Sequence, residues 1–165
     1  MDFFAHIAWA YIIFNKLKKR EFCLALLFAA LPDIIGWGGF MFYNLFNGRF
    51  GQPDLTKIPS WTWMLYDISH SLVVFGVILL VVWLIYKKIP LFMLAYPIEI
   101  LMDIPTHSRE FLPTPFLWPV SNWHFPGFSW GQGWFMILNW SLILGGIVYV
   151  SRERIRGLWR AKRSR

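Results

Sequence analysis

The chain has 165 residues, of which 57% are hydrophobic and only 15% are charged, and its mean hydropathy is +0.47. Soluble domains are about half apolar and about a quarter charged, so the composition argues against a soluble domain and indicates one compact integral membrane domain. The formal net charge of +7 would suit nucleic acid or an anionic membrane surface. Because most basic residues flank apolar segments, we expect membrane lipids as partners and no nucleic acid. The single cysteine, Cys23, excludes an intramolecular disulfide.

Apolar segments recur along the chain, and together they predict an all-α, polytopic integral membrane helical bundle with five membrane segments. In chain order they cover residues 3–15, 22–46, 61–86, 89–108 and 134–151. The third and fifth reach the length of about 20 residues that a full span needs, whereas the first is short. Pro32, Asp33 and nearby glycines are expected to kink or break the second segment. Residues 1–151 would form a single helical membrane domain, and residues 152–165 would form a basic cytoplasmic tail.

Three basic clusters orient the segments through the positive-inside rule. They consist of Lys16, Lys18, Lys19 and Arg20; of Lys87 and Lys88; and of Arg152, Arg154, Arg156, Arg160, Lys162, Arg163 and Arg165. With five segments and the N-terminus outside, all three clusters lie on the cytoplasmic side, whereas four or six segments would not sort them in this way. We therefore expect a multi-pass protein of the cytoplasmic (inner) membrane with its C-terminal tail in the cytoplasm.

Residues 109–133, between the last two segments, carry closely spaced prolines and tryptophans. These are Pro113, Pro115, Trp118, Pro119, Trp123, Pro126 and Trp130. Proline blocks a regular helix, and tryptophan favours the headgroup region of a bilayer. The sequence therefore predicts a Pro/Trp-rich loop at the outer membrane interface.

Ionisable residues lie within four of the apolar segments, where a charge in contact with lipid is costly and usually marks a functional site. They are His6, Asp33, Asp67, His70, Glu99 and Asp103. On a helix, Asp67 and His70 would share a face, as would Glu99 and Asp103. At a rise of about 1.5 Å per residue, all of them except Asp67 are expected roughly 15–26 Å from the nearest basic cluster. They would then occupy one depth band between the bilayer midplane and the outer leaflet.

Imidazole and carboxylate groups in one place are typical of a metal site. The predicted metal ligands are His6, Asp33, His70, Glu99 and Asp103. This donor set suits a divalent metal, zinc first and manganese or iron as alternatives. Two histidines and three carboxylates exceed the needs of one tetrahedral zinc, so two bridged metals are the alternative to one. Asp67 and His107 are the candidate catalytic residues, as acid/base groups, or else orienting partners or further ligands.

At these residues the chain resembles the YdjM-like family of inner-membrane proteins, which are regarded as metal-dependent hydrolases. The family motifs correspond to His6, to Leu31-Pro32-Asp33, to Ser69-His70-Ser71-Leu72, to Glu99 and Asp103 with Thr106, and to Leu117-Trp118-Pro119. The resemblance implies a helical membrane protein with His6, Asp33, His70 and Asp103 at its metal site. Glu99 stands where the family usually has histidine, which adds negative charge and favours harder metals. The pattern is also distantly similar to the ligand order of zinc-dependent phospholipase C, which implies a phosphodiester or lipid substrate.

These observations lead us to expect a membrane-bound, metal-dependent hydrolase of an ester or phosphoester, with the loop 109–133 admitting a lipid-like substrate from the side. The alternative is a non-catalytic membrane protein that binds or transports a metal or proton, or that scaffolds a partner through its tail. A third interpretation is a purely structural polar core. A hydrolase predicts a site closed towards the cytoplasm, whereas a carrier needs access from both sides. The uncharged run 73–86 favours the one-sided site.

Overall fold

Helices form the regular structure in the computed structural model, which describes residues 1–49 and 57–163. The α-helices are α1 (Phe3–Ile13), α2 (Lys19–Asp33), α3 (Gly39–Phe46), α4 (Ser60–Ser69), α5 (Leu72–Tyr86), α6 (Ala95–Thr106) and α7 (Gly133–Arg163). A π-helical turn (Ile34–Gly38) joins α2 to α3, and a 3₁₀ helix (Leu91–Leu94) precedes α6. No strand occurs among the described residues, so the predicted all-α fold is confirmed. Beyond Glu153 only the side chain of Arg156 is described, so most side chains of the predicted tail lie outside the described part.

Among the described residues, two helical stretches are long and apolar enough to cross a membrane. One is the continuous run Lys19–Phe46, which comprises α2, the π-helical turn and α3; the other is Gly133–Glu153 in α7. The pair α4 and α5 makes a third if it crosses as one span, although its two helices are bent by 52°. With 11 and 12 residues, α1 and α6 are shorter than a full span. The structure thus supports two or three membrane-crossing helices, and the predicted five are not confirmed.

The second apolar segment is continuous, so the break expected at Pro32 does not occur. The helix passes through Pro32 and then widens into the π-helical turn before it continues as α3. Within this turn, a Cβ at Gly36 would lie 3.1 Å from Ser69 Oγ and 3.3 Å from Tyr66 Cα. The absence of a side chain at Gly36 therefore lets α4 pack directly against the turn.

The third apolar segment bends where a histidine and a serine separate α4 from α5. α4 ends at Ser69, and His70 is its C-cap with φ −99° and ψ 20°. Ser71 has an extended backbone and caps α5, because its hydroxyl accepts a hydrogen bond from Val74 N at 3.1 Å. The bend places His70 at a helix end instead of in the middle of a straight span.

Small residues bring three helices close together at one end of the bundle. Ala10 of α1, Ala25 and Ala29 of α2, and Ala95 of α6 are at most 3% exposed and belong to one core cluster. Helices in lipid associate largely through such close packing of small side chains. Each alanine lies between the ionisable residue of its helix and the nearest basic cluster, so the ionisable residues meet beyond this contact.

The loop between α6 and α7 is tied to the helix ends by main-chain hydrogen bonds. Trp130 N donates to Thr106 O at 2.9 Å, and Leu72 N donates to Phe116 O at 3.0 Å. Residues 107–132 contain no helix, so the predicted non-helical loop is confirmed, whereas its place at a membrane interface stays a prediction. The loop thus contacts both the end of α6 and the start of α5, next to the ionisable residues.

Candidate metal centre

Four elements each contribute ionisable side chains to a single buried cluster. The contributors are His6 from α1, Asp33 from the end of α2, His70 from the α4–α5 bend, and Glu99 and Asp103 from α6. All of them are fully buried except Asp33, whose side chain is 19% exposed. The structure therefore brings together the five residues that the sequence predicted as metal ligands, and we call them the five-residue cluster.

Within the five-residue cluster, the imidazole nitrogens lie close to carboxylate oxygens. His6 Nε2 is 2.9 Å from Asp103 Oδ1 and 3.8 Å from Glu99 Oε1. His70 Nε2 is 3.6 Å from Asp33 Oδ1, 3.6 Å from Glu99 Oε1 and 3.9 Å from Asp103 Oδ2. Each histidine thus directs one nitrogen towards the same patch of carboxylate oxygens.

Two overlapping groups of donors within the cluster could hold a metal ion. The first consists of His6, Asp33 and Glu99, and the second of His70, Glu99 and Asp103. In each group the potential ligand atoms all lie within 4.8 Å of one another. Glu99 belongs to both groups, so it occupies the centre of the arrangement.

Several atoms of the cluster that could ligate a metal are buried without a hydrogen-bond partner. They are Nδ1 and Nε2 of His6, Nε2 of His70, both carboxylate oxygens of Glu99, and Oδ2 of Asp103. The contacts among these atoms are 3.6–3.9 Å long, which is too far for hydrogen bonds, and a shorter contact joins His6 Nε2 to Asp103 Oδ1 at 2.9 Å. Buried polar atoms are nearly always paired, and an unpaired one costs about 1–3 kcal/mol, more if it is charged. Converging, unpaired nitrogen and oxygen lone pairs fit a divalent cation.

The orientation of His70 is fixed from its far side. Its Nδ1 lies 2.9 Å from Ser69 Oγ and 3.3 Å from Tyr66 O, and its ring packs against the Tyr66 ring at a centroid distance of 4.1 Å. Tyr96 donates a hydrogen bond from its hydroxyl to Ser69 O at 2.8 Å. These contacts leave Nε2 directed at the carboxylates. Metal-binding histidines are commonly oriented in this way by a hydrogen bond to the other ring nitrogen.

His107 lies beside the cluster without belonging to either donor group. Its Nδ1 is 2.9 Å from Thr114 Oγ1, 3.5 Å from the Tyr66 hydroxyl and 3.6 Å from Asp103 Oδ2. The amino group of Met1 forms an ion pair with Asp103 and lies 3.3 Å from His107 Nε2. His107 is thus held in a network at the edge of the five-residue cluster.

Asp67 does not join the cluster, although it was predicted to share a helix face with His70. It is half-buried on α4, and among the described residues it belongs to neither donor group. His70 is the C-cap of α4 and still donates its backbone N–H to Tyr66 O, but its Nε2 lies near the carboxylates of Asp33 and Glu99. The catalytic role considered for Asp67 stays a prediction.

Sequence reasoning missed the residues that support the cluster. Met1 and Thr114 reach it from distant parts of the chain, and no spacing rule connects them to the predicted ligands. Tyr66 and Ser69 are the exceptions, because they lie four residues and one residue before His70, where helical spacing and the Ser-His motif could have identified them. The contacts of Met1 and Thr114 are therefore products of the tertiary fold.

A cavity of about 850 Å³ adjoins the cluster. Asp33 and His107 contribute polar atoms to its wall, and most of the remaining lining is apolar. The apolar walls come from the start of α1, from the π-helical turn with α3, and from the loop after α6. Ligand-binding cavities in proteins are typically of this size and character, about 300–1,000 Å³ with few polar groups.

Comparisons of this chain with protein-family models, with curated proteins and with solved structures yield no match. The resemblance to the YdjM-like family therefore depends on the sequence motifs alone.

Proposed function

We propose that the protein is a membrane-bound, metal-dependent hydrolase that cleaves an ester or phosphoester, with a lipid-like substrate, at the level of the outer leaflet. The observation that carries this proposal is the five-residue cluster, whose unpaired donor atoms converge in a buried place. Two fully buried carboxylates and a third that is 19% exposed carry more negative charge than the amino group of Met1, which pairs with Asp103, can neutralise. Uncompensated buried charge is strongly unfavourable. The cluster therefore requires positive charge, and its mixed nitrogen and oxygen donors suit zinc, with manganese or iron as alternatives.

A divalent metal held by the cluster would supply Lewis-acid activation for hydrolysis. Because Glu99 belongs to both donor groups, two ions sharing this carboxylate are the alternative to a single ion. The residues that the YdjM-like resemblance implies as ligands, His6, Asp33, His70 and Asp103, are all members of the cluster.

His107 is the better of the two candidate acid/base residues on geometric grounds. It lines the cavity and lies 3.6 Å from Asp103, whereas Asp67 is absent from the described cavity lining. Thr114 and Tyr66 fix the ring from the Nδ1 side. A histidine between a substrate cavity and a metal site is well placed to move a proton to or from the reacting group.

We propose five membrane segments with the N-terminus outside, in which α1 and α6 enter from the cytoplasmic side. Lys16 follows α1, and Lys87 and Lys88 precede α6, so both short helices have their basic flank at the end away from the cluster. Ala10 of α1 and Ala95 of α6 belong to one core cluster, which supports this arrangement. Both helices then end near the level of the cluster, which suits a site open towards the outer leaflet of a cytoplasmic membrane.

The test is metal analysis of detergent-purified protein after exposure to micromolar zinc or manganese. Wild-type protein should contain near-stoichiometric metal, and His70→Ala should lose the ion that the second donor group holds, which is all of the metal for a single ion there and half of it for two ions. His124→Ala is the matched control, since His124 lies in the outer loop and outside the cluster. Wild-type protein that remains free of metal would contradict the proposal.

Hydrolysis of p-nitrophenyl butyrate and of bis(p-nitrophenyl) phosphate separates a hydrolase from a metal carrier. Metal-loaded wild-type protein should cleave one of the two substrates, and His70→Ala should not. Stoichiometric metal without cleavage of either probe would favour the non-catalytic alternative.

A further inference from the structure

We infer that the cavity beside the five-residue cluster is a subsite for one hydrocarbon chain of a bilayer lipid, with Gly38 as the position that keeps it open. This inference depends on the proposed function for the reaction. It adds that the protein recognises the hydrocarbon chain of its substrate.

The cavity is bounded by residues that also face the surroundings of the bundle. Phe4 is 69% exposed, Ile34 44% and Met41 68%, and all three line the cavity. Ile34 and Met41 belong to Lys19–Phe46, one of the helical stretches long enough to cross a membrane. Exposed apolar side chains on such a helix contact acyl chains. The open side of the cavity therefore lies alongside lipid.

The walls and the polar groups of the cavity match the two parts of a lipid. Trp37, Leu112 and Trp130 offer apolar surface, which suits a hydrocarbon chain, whereas Asp33 and His107 place polar groups beside the cluster. A chain in the cavity would hold an adjoining ester or phosphoester at the cluster. Burial of each methylene group contributes about 0.8 kcal/mol, so a chain subsite makes binding depend steeply on chain length.

Gly38 lines the cavity where a larger side chain would fill it without disturbing the fold. A Cβ built at Gly38 would contact only Ile34 Cγ2, at 3.6 Å, which is an ordinary van der Waals distance. By contrast, a Cβ at Gly36 in the same turn would crowd α4. Gly38→Leu should therefore fold and occupy the cavity. Gly76 in α5 is a matched control, because a Cβ there meets nothing within 4 Å and the residue is outside the cavity.

The probe is phosphatidylglycerol with a diazirine in its acyl chain, mixed into vesicles of phosphatidylethanolamine and phosphatidylglycerol that contain the full-length protein. After irradiation, mass spectrometry locates the cross-links. In wild-type protein and in Gly76→Leu we expect cross-links to Leu112 and Trp130 in the cavity, as well as to exposed apolar residues of α5. In Gly38→Leu the cavity cross-links should be lost while those on α5 persist.

A second variant, Met41→Trp, adds a larger side chain at an exposed position of the cavity wall. It should give the same loss of cavity cross-links without changing the packing of the core. Wild-type protein without cross-links at Leu112 and Trp130, or retention of these cross-links in both variants, would overturn the inference. Because cross-linking needs no turnover, this result is independent of the metal and hydrolysis tests of the proposed function.

If the protein hydrolyses p-nitrophenyl esters, chain length gives a second readout. In wild-type protein kcat/KM should rise about fourfold for each added methylene over the first few, and in Gly38→Leu it should level off at a shorter chain. Metal content should be equal in the two proteins, because Gly38 is not in either donor group. An identical chain-length profile would contradict the subsite, even if the hydrolase proposal holds.

Discussion

Glu99→Gln is the substitution that tests the cluster most directly, because Glu99 belongs to both donor groups. Glutamine keeps the size of the side chain and removes its negative charge. The side chain is fully buried, and neither of its oxygens has a hydrogen-bond partner. The substitution therefore removes a potential ligand from each group without breaking a hydrogen bond present in the structure.

Two effects of opposite sign are expected. Oxygens of Glu99 and Asp103 lie within 4.8 Å of each other, and two unit charges at that distance repel by about 3 kcal/mol at an effective dielectric constant of about 20. Glu99→Gln should therefore raise the stability of protein kept free of metal. In contrast, the stabilisation that added metal provides should almost disappear, since even outer-shell partners of metal ligands are worth about 10–100-fold in affinity.

The metal effect can be expressed as a shift in melting temperature. Free metal at about 100 times Kd stabilises the folded protein by about 2.7 kcal/mol, and a hundredfold weaker affinity reduces this to about 0.4 kcal/mol. At about 2–4 °C per kcal/mol for a chain of this size, metal should raise the Tm of wild-type protein by roughly 5–11 °C. The same metal should raise the Tm of Glu99→Gln by only about 1–2 °C.

Thermal unfolding in detergent, first with a chelator and then with excess zinc or manganese, measures both effects. Glu110→Gln is the control, because it removes the same charge from an exposed position in the loop after α6. An equal metal-induced shift in wild-type protein and Glu99→Gln would refute the central role of Glu99. A lower Tm for Glu99→Gln than for wild type in chelator would refute the electrostatic argument.

Two further predictions concern His107 and the packing of α4 on the π-helical turn. His107→Gln should retain wild-type metal content, because His107 is outside both donor groups. It should lower kcat by about 10²–10⁴-fold, the usual contribution of an acid/base residue, in hydrolysis of the p-nitrophenyl substrates; an unchanged kcat would remove His107 from the mechanism. Gly36→Ala should destabilise the protein by about 1–3 kcal/mol through overpacking, since its Cβ would lie 3.1 Å from Ser69 Oγ, and this can be measured by thermal unfolding. Gly76→Ala is the control, because a Cβ at Gly76 meets no atom within 4 Å. It should stabilise the helix by up to about 1 kcal/mol. Equal effects at the two positions would contradict the close packing of α4 on the π-helical turn.

The members of the five-residue cluster could be predicted from the sequence. Charged groups are rarely stable in apolar helices without partners, so His6, Asp33, His70, Glu99 and Asp103 could be expected to find one another. Their distances from the basic clusters further suggested a common level. The same reasoning did not identify Met1 or Thr114, because residues that support a site through long-range contacts leave no periodic or compositional signal. It also passed over Tyr66, although that residue lies one helical turn before His70.

Local conformation also limited the sequence predictions. Asp67 and His70 have the spacing of helical neighbours, but α4 ends between them, and only His70 reaches the cluster. Pro32 has the character of a helix breaker, yet the helix continues through it into a π-helical turn. The absence of a side chain at Gly36 lets α4 pack directly against that turn.

The sequence by itself determined that this chain is an apolar, all-helical protein with a non-helical Pro/Trp-rich loop and a set of ionisable residues that require partners. These properties depend on composition and on the side chains of each segment, which are local. Only the tertiary structure decided which ionisable residues meet, that Glu99 is shared by two donor groups, and that a largely apolar cavity adjoins them. Those features arise where α1, the π-helical turn, the α4–α5 bend and α6 come together, and their contacts join residues about 100 positions apart in the chain.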